Sequence, residues 1–279
     1  MFQKYVTKGV KLSDEYFFDR LQHASDHLKS WFNKKLNPPV FTVELGTGWY
    51  PVIPVSLFLC GAEKIFTVDI SKLTNRERLL TTLKKFSETG VEELKKFIPL
   101  KHERFELIES ICKNPPSAFE EICSLLHLTC LVQDASKLNF EKNSIDLVTS
   151  NNTFEHVYPD ALKNILQEFW RVSKVSGIQS HFIDMTDHFA HFDKSISVYH
   201  FLRFSNENWK WIDNSVQPMN RFRLSDYLKI YDELKIPVTE KFIRPGNLEE
   251  LKSQKIDAAF RNYPLEDLAI THARIVSIK

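Results

Sequence analysis

The run Phe41-Thr42-Val43-Glu44-Leu45 reads as a β-strand and stops on Gly46-Thr47-Gly48; no other feature of the chain constrains the fold as strongly. Two glycines spaced by one at a strand's carboxyl end allow a tight turn and a close approach of backbone to ligand. The helix that follows then offers unpaired N–H groups to a negative group. Pro51 suits the first turn of that helix and Gly61 its end. A second run, Lys64-Ile65-Phe66-Thr67-Val68-Asp69, ends on an acid about 20 residues beyond the glycines, where a nucleoside binder needs a partner for both ribose hydroxyls. A dinucleotide fingerprint would need a further glycine where this chain has Pro51, which argues against a nicotinamide or flavin enzyme.

Periodicity supplies the rest of an α/β chain. Tyr16, Phe17, Leu21, Ala24, Leu28 and Phe32 repeat at helical spacing until Asn37-Pro38-Pro39 stops them, so residues 1–38 read as a helical cap. Residues 71–127, too long for an ordinary one-helix crossover, read as an insertion of several short helices broken at Pro115-Pro116. Strands follow at 128–132 and 145–151, then a helix from Pro159 to near Gly177 carrying Leu162, Ile165, Leu166, Phe169 and Val172. Further strands are expected at 178–184, 238–243 and 273–278, with a helix over 224–234.

Four stretches, Glu44-Leu45-Gly46-Thr47-Gly48, Asp69, Gln133-Asp134-Ala135 and Ile145-Asp146-Leu147-Val148-Thr149-Ser150-Asn151, resemble in content and order the motifs of the class I S-adenosylmethionine-dependent methyltransferases. The resemblance implies one domain over residues 1–279 with a Rossmann-like, mostly parallel seven-stranded sheet, helices on both faces and an antiparallel last strand. It also implies S-adenosylmethionine as cofactor. By the same resemblance Glu44 orients the cofactor's amino-acid end, and Gly46, Thr47 and Gly48 approach its methionine moiety. Asp69, with Ile70 beside it, holds the ribose; Asp134, with Ala135, meets the adenine; Asn151 lines the site through its backbone. Tyr50 departs from the pattern, standing where the family often has a third glycine. Ser150-Asn151-Asn152-Thr153 replaces the Asn-Pro-Pro-Tyr or Asp-Pro-Pro-Tyr of the nucleobase-amine enzymes, so oxygen or another nitrogen is the expected acceptor.

Residues just beyond the strands are where an open parallel sheet binds ligands. After the fourth strand, His156 is a candidate to take a proton from an acceptor hydroxyl, although a histidine packed at a helix start would read the same. After the fifth, Asp184, Asp187 and His188 precede His191, Asp193 and His200; they suit a proton-accepting pair, a divalent-metal site or a polar loop with local capping bonds, with Asp184 and His188 the proton-handling candidates and no metal ligand assigned. Residues 186–223 interleave aromatics with arginines and suit either a substrate lid or an accessory core. Arg203 and Arg221 are the candidates to clamp a carboxylate or phosphate of the substrate, with Arg223 a third.

With 37 basic and 36 acidic residues among 279 and a net charge of +1, the chain lacks the field of a general nucleic-acid binder, and a small-molecule partner is expected. Cys60, Cys112, Cys123 and Cys130 show no Cys-x-x-Cys spacing, and neither an apolar signal core nor a membrane-length run is present, so a cytoplasmic protein is expected. The leading expectation is a methyltransferase acting on a small or medium polar metabolite. A cofactor binder without catalysis and an RNA methyltransferase are its rivals; the oligomeric state is left open.

Overall fold

The computed structural model describes residues 11–213 and 218–279, so the reading of the first ten residues and the 214–217 part of the expected lid lie outside the described residues. Seven strands among these form one sheet in the order β3-β2-β1-β4-β5-β7-β6. They are β1 Phe41–Leu45, β2 Lys64–Asp69, β3 Leu128–Val132, β4 Ile145–Asn151, β5 Ser173–Asp184, β6 Glu240–Arg244 and β7 His272–Ile278. All neighbouring pairs from β3 to β5 are parallel, whereas β7 runs antiparallel to both β5 and β6. The strand order reverses between β1 and β4, where an open α/β sheet opens its ligand crevice.

Alternation along the strands divides the core in two. Val43, Leu45, Val68, Val148, Ile183 and Ile275 face one layer, built on α7 (Pro159–Val172) and α10 (Leu224–Glu233). Ile65, Leu128, Leu147, Ile178 and Val276 face the other, which holds α1 (Asp14–Phe32), α2 (Val52–Cys60) and the helices of the insertion. The buried stripe of α7, Leu162, Ile165, Leu166, Phe169 and Val172, is the one its periodicity requires. In α2 every residue is buried, and Gly61 ends it in the left-handed conformation at φ 118°.

The insertion forms α3 (Arg76–Thr89), α4 (Val91–Leu94), α5 (His102–Lys113) and α6 (Phe119–Leu125). Buried Arg104 of α5 donates to Phe58 O and Ala62 O at 2.8 and 2.6 Å and pairs with Glu63 at 2.7 Å, so the insertion clasps the end of α2.

Two boundaries differ from expectation. The crossover helix stops at Val172 rather than near Gly177, because β5 begins at Ser173 and bulges before rejoining β4 at Ile178. A Cβ on Gly177 would lie 2.9 Å from Lys174 O, so the fold-back needs a glycine. Residues 238–239 precede β6, an exposed edge strand that starts at Glu240.

The expected lid is largely packed. With α8 (Phe189–Phe192) and α9 (Asn206–Ile212), it contributes Tyr199, Phe201, Leu202, Trp209 and Met219 to a satellite core. Leu251 of α11 (Leu248–Lys252), Phe260 and Leu268 of α12 (Leu265–Ala269) complete that core. No helix among the described residues is long and apolar enough to cross a membrane.

Candidate functional site

The turn after β1 has the geometry its glycines suggested. Gly46 has φ 87° and donates to Val68 O at 2.8 Å; a Cβ there would lie 2.5 Å from Thr153 Oγ1. Gly48 has φ 62°, and a Cβ built on it would meet no heavy atom within 4 Å, so open space lies above it. Thr47 is buried, its hydroxyl donating to Thr67 Oγ1 at 2.7 Å, and so braces the turn from within. Asp69 faces the turn at the end of β2, where Oδ2 accepts from Gly48 N at 3.5 Å and Oδ1 from Ser71 N at 3.0 Å. Asp69 O also accepts from Gln133 N at 2.9 Å, which brings Asp134 beside the same edge. Asp134 is exposed and its Oδ1 accepts from Ser136 N at 2.8 Å, Ala135 is buried, and Ile70 is 83% exposed.

Glu44 brings a buried carboxyl to this edge, only 3% exposed. Its Oε1 accepts from Asn151 Nδ2 at 3.3 Å, while Oε2 has no hydrogen-bond partner among the described residues. Burial pushes its carboxyl up to about 8, against the opposing pull of the Asn151 hydrogen bond and the Arg20 charge. An unpaired buried carboxyl oxygen at the end of β1 suits a cationic amino group, and Asp69, at the end of β2 next to it in the sheet, suits vicinal hydroxyls, so these residues fit a nucleoside carrying an amino-acid tail.

Asn151 takes part through its side chain, beyond the backbone role first expected. Its Oδ1 accepts from His27 Nε2 at 3.0 Å, and His27 Nδ1 in turn accepts from Ser180 Oγ at 2.7 Å. A polar chain therefore runs from β5 through α1 and β4 to Glu44. Burial holds His27 neutral, down at about 3, and the Arg274 charge adds to the effect. Arg20, two turns earlier on the same face of α1, brings both terminal nitrogens within 3.2 and 2.9 Å of the Asn152 amide, which accepts from them when its oxygen is turned toward the guanidinium. Sequence reasoning assigned nothing on α1 to the site. The signal was there in Arg20, His23 and His27, polar residues at helical spacing on the face that α1 buries.

The second cluster joins the ends of β4 and β5. Oxygen and nitrogen atoms of Glu155, His156 and His188 come within 4.8 Å of one another. His156 Nδ1 donates to Pro218 O at 2.7 Å, and the His156 and His188 rings meet edge to face at 4.9 Å. Burial lowers His156 to about 4, with the neighbouring His188 adding to the fall. Asp184 Oδ2 lies 3.6 Å from His188 Nε2 and 3.9 Å from His191 Nε2, and Oδ1 lies 3.5 Å from His272 Nε2. Burial alone would raise the Asp184 carboxyl, but the hydrogen bond and charge of His188, with His272 and Thr186, hold it below the usual carboxylate range. Glu155 was missed by the sequence reading although it precedes His156. It is 2% exposed, neither of its oxygens has a hydrogen-bond partner among the described residues, and burial beside Asp184 raises it well above its ordinary value.

Arg221 corrects an expectation, since it is built into the satellite core rather than aimed at a ligand. Its guanidinium donates to Phe201 O at 3.2 Å, Phe204 O at 2.7 Å and Asn206 Oδ1 at 2.7 Å, and packs over Trp209 and Phe260. Arg223, fully buried, donates to Met185 O, Leu268 O and Ile270 O. Both side chains are buried with their terminal nitrogens on protein oxygens, so neither presents a free fork to an anion. Arg203 differs: it is exposed, 3.4 Å from His200 Nε2, and the other nitrogen of His200 lies 3.4 Å from Asp187 Oδ2.

A family profile described as a methyltransferase domain matches residues 117–180, which span α6, β3, β4, α7 and most of β5. No curated protein sequence matches the chain. Among solved structures, it is similar to the geranyl diphosphate C-methyltransferase of Streptomyces coelicolor, crystallised with Mg2+, geranyl diphosphate and S-adenosyl-L-homocysteine. That likeness has a TM-score of 0.52 at 12% identity over 95% of this chain and 79% of the other. It is similar as well to the 1,6-didemethyltoxoflavin-N1-methyltransferase of Burkholderia thailandensis, solved with bound 1,6-didemethyltoxoflavin and S-adenosylhomocysteine, at a TM-score of 0.50 and 10% identity over 93% and 77% of the two chains. At such identities the shared property is the fold.

Proposed function

We propose that this chain, which has the fold of the class I S-adenosylmethionine-dependent methyltransferases and a segment matched by a methyltransferase-domain profile, methylates an oxygen or nitrogen of a small or medium polar metabolite at the carboxyl edge of β1, β4 and β5. The observation that carries this reading is the meeting, on one sheet edge, of a nucleoside-type set (Glu44, Gly46, Gly48, Asp69, Asp134) with a separate buried cluster of Glu155, His156, Asp184 and His188.

Bound S-adenosylmethionine supplies a methyl group already activated by its sulfonium, so the protein's share is alignment and proton handling. In this reading Glu44 holds the ammonium of the amino-acid tail, Asp69, with exposed Ile70 beside it, holds the ribose hydroxyls, and Asp134, with Ala135, meets the adenine. His156, whose Nδ1 is occupied by Pro218 O, offers Nε2 to the acceptor's proton, and the Asp184–His188 pair is a second acceptor. Arg203 is the guanidinium for an anionic group of the metabolite. The committed donors of Arg221 take it out of that role. The near-zero net charge supports a small acceptor over RNA.

Calorimetry with S-adenosylmethionine and S-adenosylhomocysteine tests the cofactor half: saturable heat with both is expected, and none from folded protein would end the proposal. Formation of S-adenosylhomocysteine with polar hydroxyl and amine metabolites then separates an enzyme from a silent binder.

A further inference from the structure

We infer that Glu155, His156 and His188 form a binding site for one divalent transition-metal ion of the zinc type. The three side chains come from two segments, the turn Phe154–His156 after β4 and the loop after β5, yet their donor atoms lie within 4.8 Å of one another. Around a tetrahedral zinc ion with bonds of about 2.0–2.2 Å, donor atoms sit about 3.4 Å apart. Side-chain rotations of about 1 Å close that gap.

An independent observation points to a missing ligand. Glu155 is 2% exposed, and neither of its buried carboxyl oxygens has a well-formed hydrogen-bond partner among the described residues, the backbone amides of Glu155 and Asp184 only partly offsetting the burial. Buried carboxyls are otherwise paired or bound to a metal, and a cation between the two imidazoles would satisfy this one. The surroundings match a metal site's outer layer too. His156 gives its Nδ1–H to Pro218 O at 2.7 Å, which fixes the tautomer that leaves Nε2 as a lone-pair donor. Asp184 stands 3.6 Å from His188 and steadies that ring.

Two imidazoles and one carboxylate suit zinc, iron, cobalt or nickel; magnesium and calcium favour all-oxygen sets. Three protein ligands leave a coordination position for water or a substrate oxygen. A cation there would lower the pKa of an acceptor hydroxyl and take over the task assigned above to His156. That role rests on the methyl-transfer reading, whereas binding of the cation does not and is measured without S-adenosylmethionine.

The test uses the full chain, stripped with a chelator and titrated with Zn2+ or Co2+. One ion per chain is expected by elemental analysis after dialysis. Glu155→Gln and His188→Ala should each weaken binding by at least about a hundredfold, and Asp184→Asn by about 10–100-fold. His102→Ala, on an exposed helix face, should leave it unchanged. Folding of each variant is checked by circular dichroism. Should a variant not fold, the Co2+ form of the wild type decides: paramagnetically shifted, exchangeable imidazole N–H resonances are expected, including that of His156 held by Pro218 O. No retained ion, binding indifferent to Glu155→Gln and His188→Ala, or a cobalt form without shifted imidazole protons would each overturn the assignment.

Discussion

Replacing Glu44 by Gln isolates the cost of a buried carboxyl that the ligand-free chain keeps protonated. Glutamine preserves the shape of the side chain and the acceptor for Asn151 Nδ2, but it does not titrate. The folded value of Glu44 is about 8, against an ordinary value of 4.5. Because the folded value is raised, the stability tied to the retained proton is complete below the unfolded pKa and is lost as pH climbs toward 8. Each unit climbed in that window costs the wild type about 1.4 kcal/mol, or about 3 kcal/mol by pH 7. Glu44→Gln should therefore gain on the wild type by about 1.4 kcal/mol per pH unit between pH 5 and 8. Urea denaturation of both proteins across that range measures the difference, in which the remaining titrations cancel. The slope is the readout, since the variant's unpaired amide adds a constant offset. A difference that stays flat with pH would refute the claim that Glu44 is neutral in the folded chain.

The same proton should reappear on binding. At pH 7, S-adenosylmethionine should release up to one proton per chain as its ammonium draws Glu44 into the ionised form, and its Kd should fall up to about tenfold per pH unit between 6 and 8; calorimetry in buffers of different ionisation enthalpy measures the release, which Glu44→Gln should abolish. Asp69→Ala should weaken S-adenosylmethionine binding by about 1–3 kcal/mol through lost charge-assisted hydrogen bonds, and unchanged affinity would remove the ribose role. Arg223→Met strands three buried carbonyls and should cost at least about 3 kcal/mol of stability, whereas exposed Arg203→Ala should stay within about 0.5 kcal/mol. Comparable denaturation midpoints for the two variants would contradict the division into strut and surface arginine.

The glycine turn, Asp69 and the α7 stripe could be read from residue order because each depends on neighbours in the chain: a positive φ needs glycine, and a helix buries every third or fourth residue. Arg203 and Arg221 could not be told apart that way. Both stand among aromatics, and only the folded loops show that carbonyls of Phe201 and Phe204 consume one guanidinium and leave the other at the surface. The bulge that starts β5 at Ser173 escaped for a related reason, since it depends on how β4 lies against it.

Local chemistry thus dictated the strands, the crossover helix and the acids at the strand ends, all of them set by spacing along one segment. Which distant side chains share a space was decided by packing. His27 on α1 reaches Asn151 across 124 positions of chain, and Glu155 meets His188 only because β4 and β5 lie side by side. Alternation and periodicity state which face of an element is buried, but the partner on the other side follows from the order of strands in the sheet and from the helix laid over it.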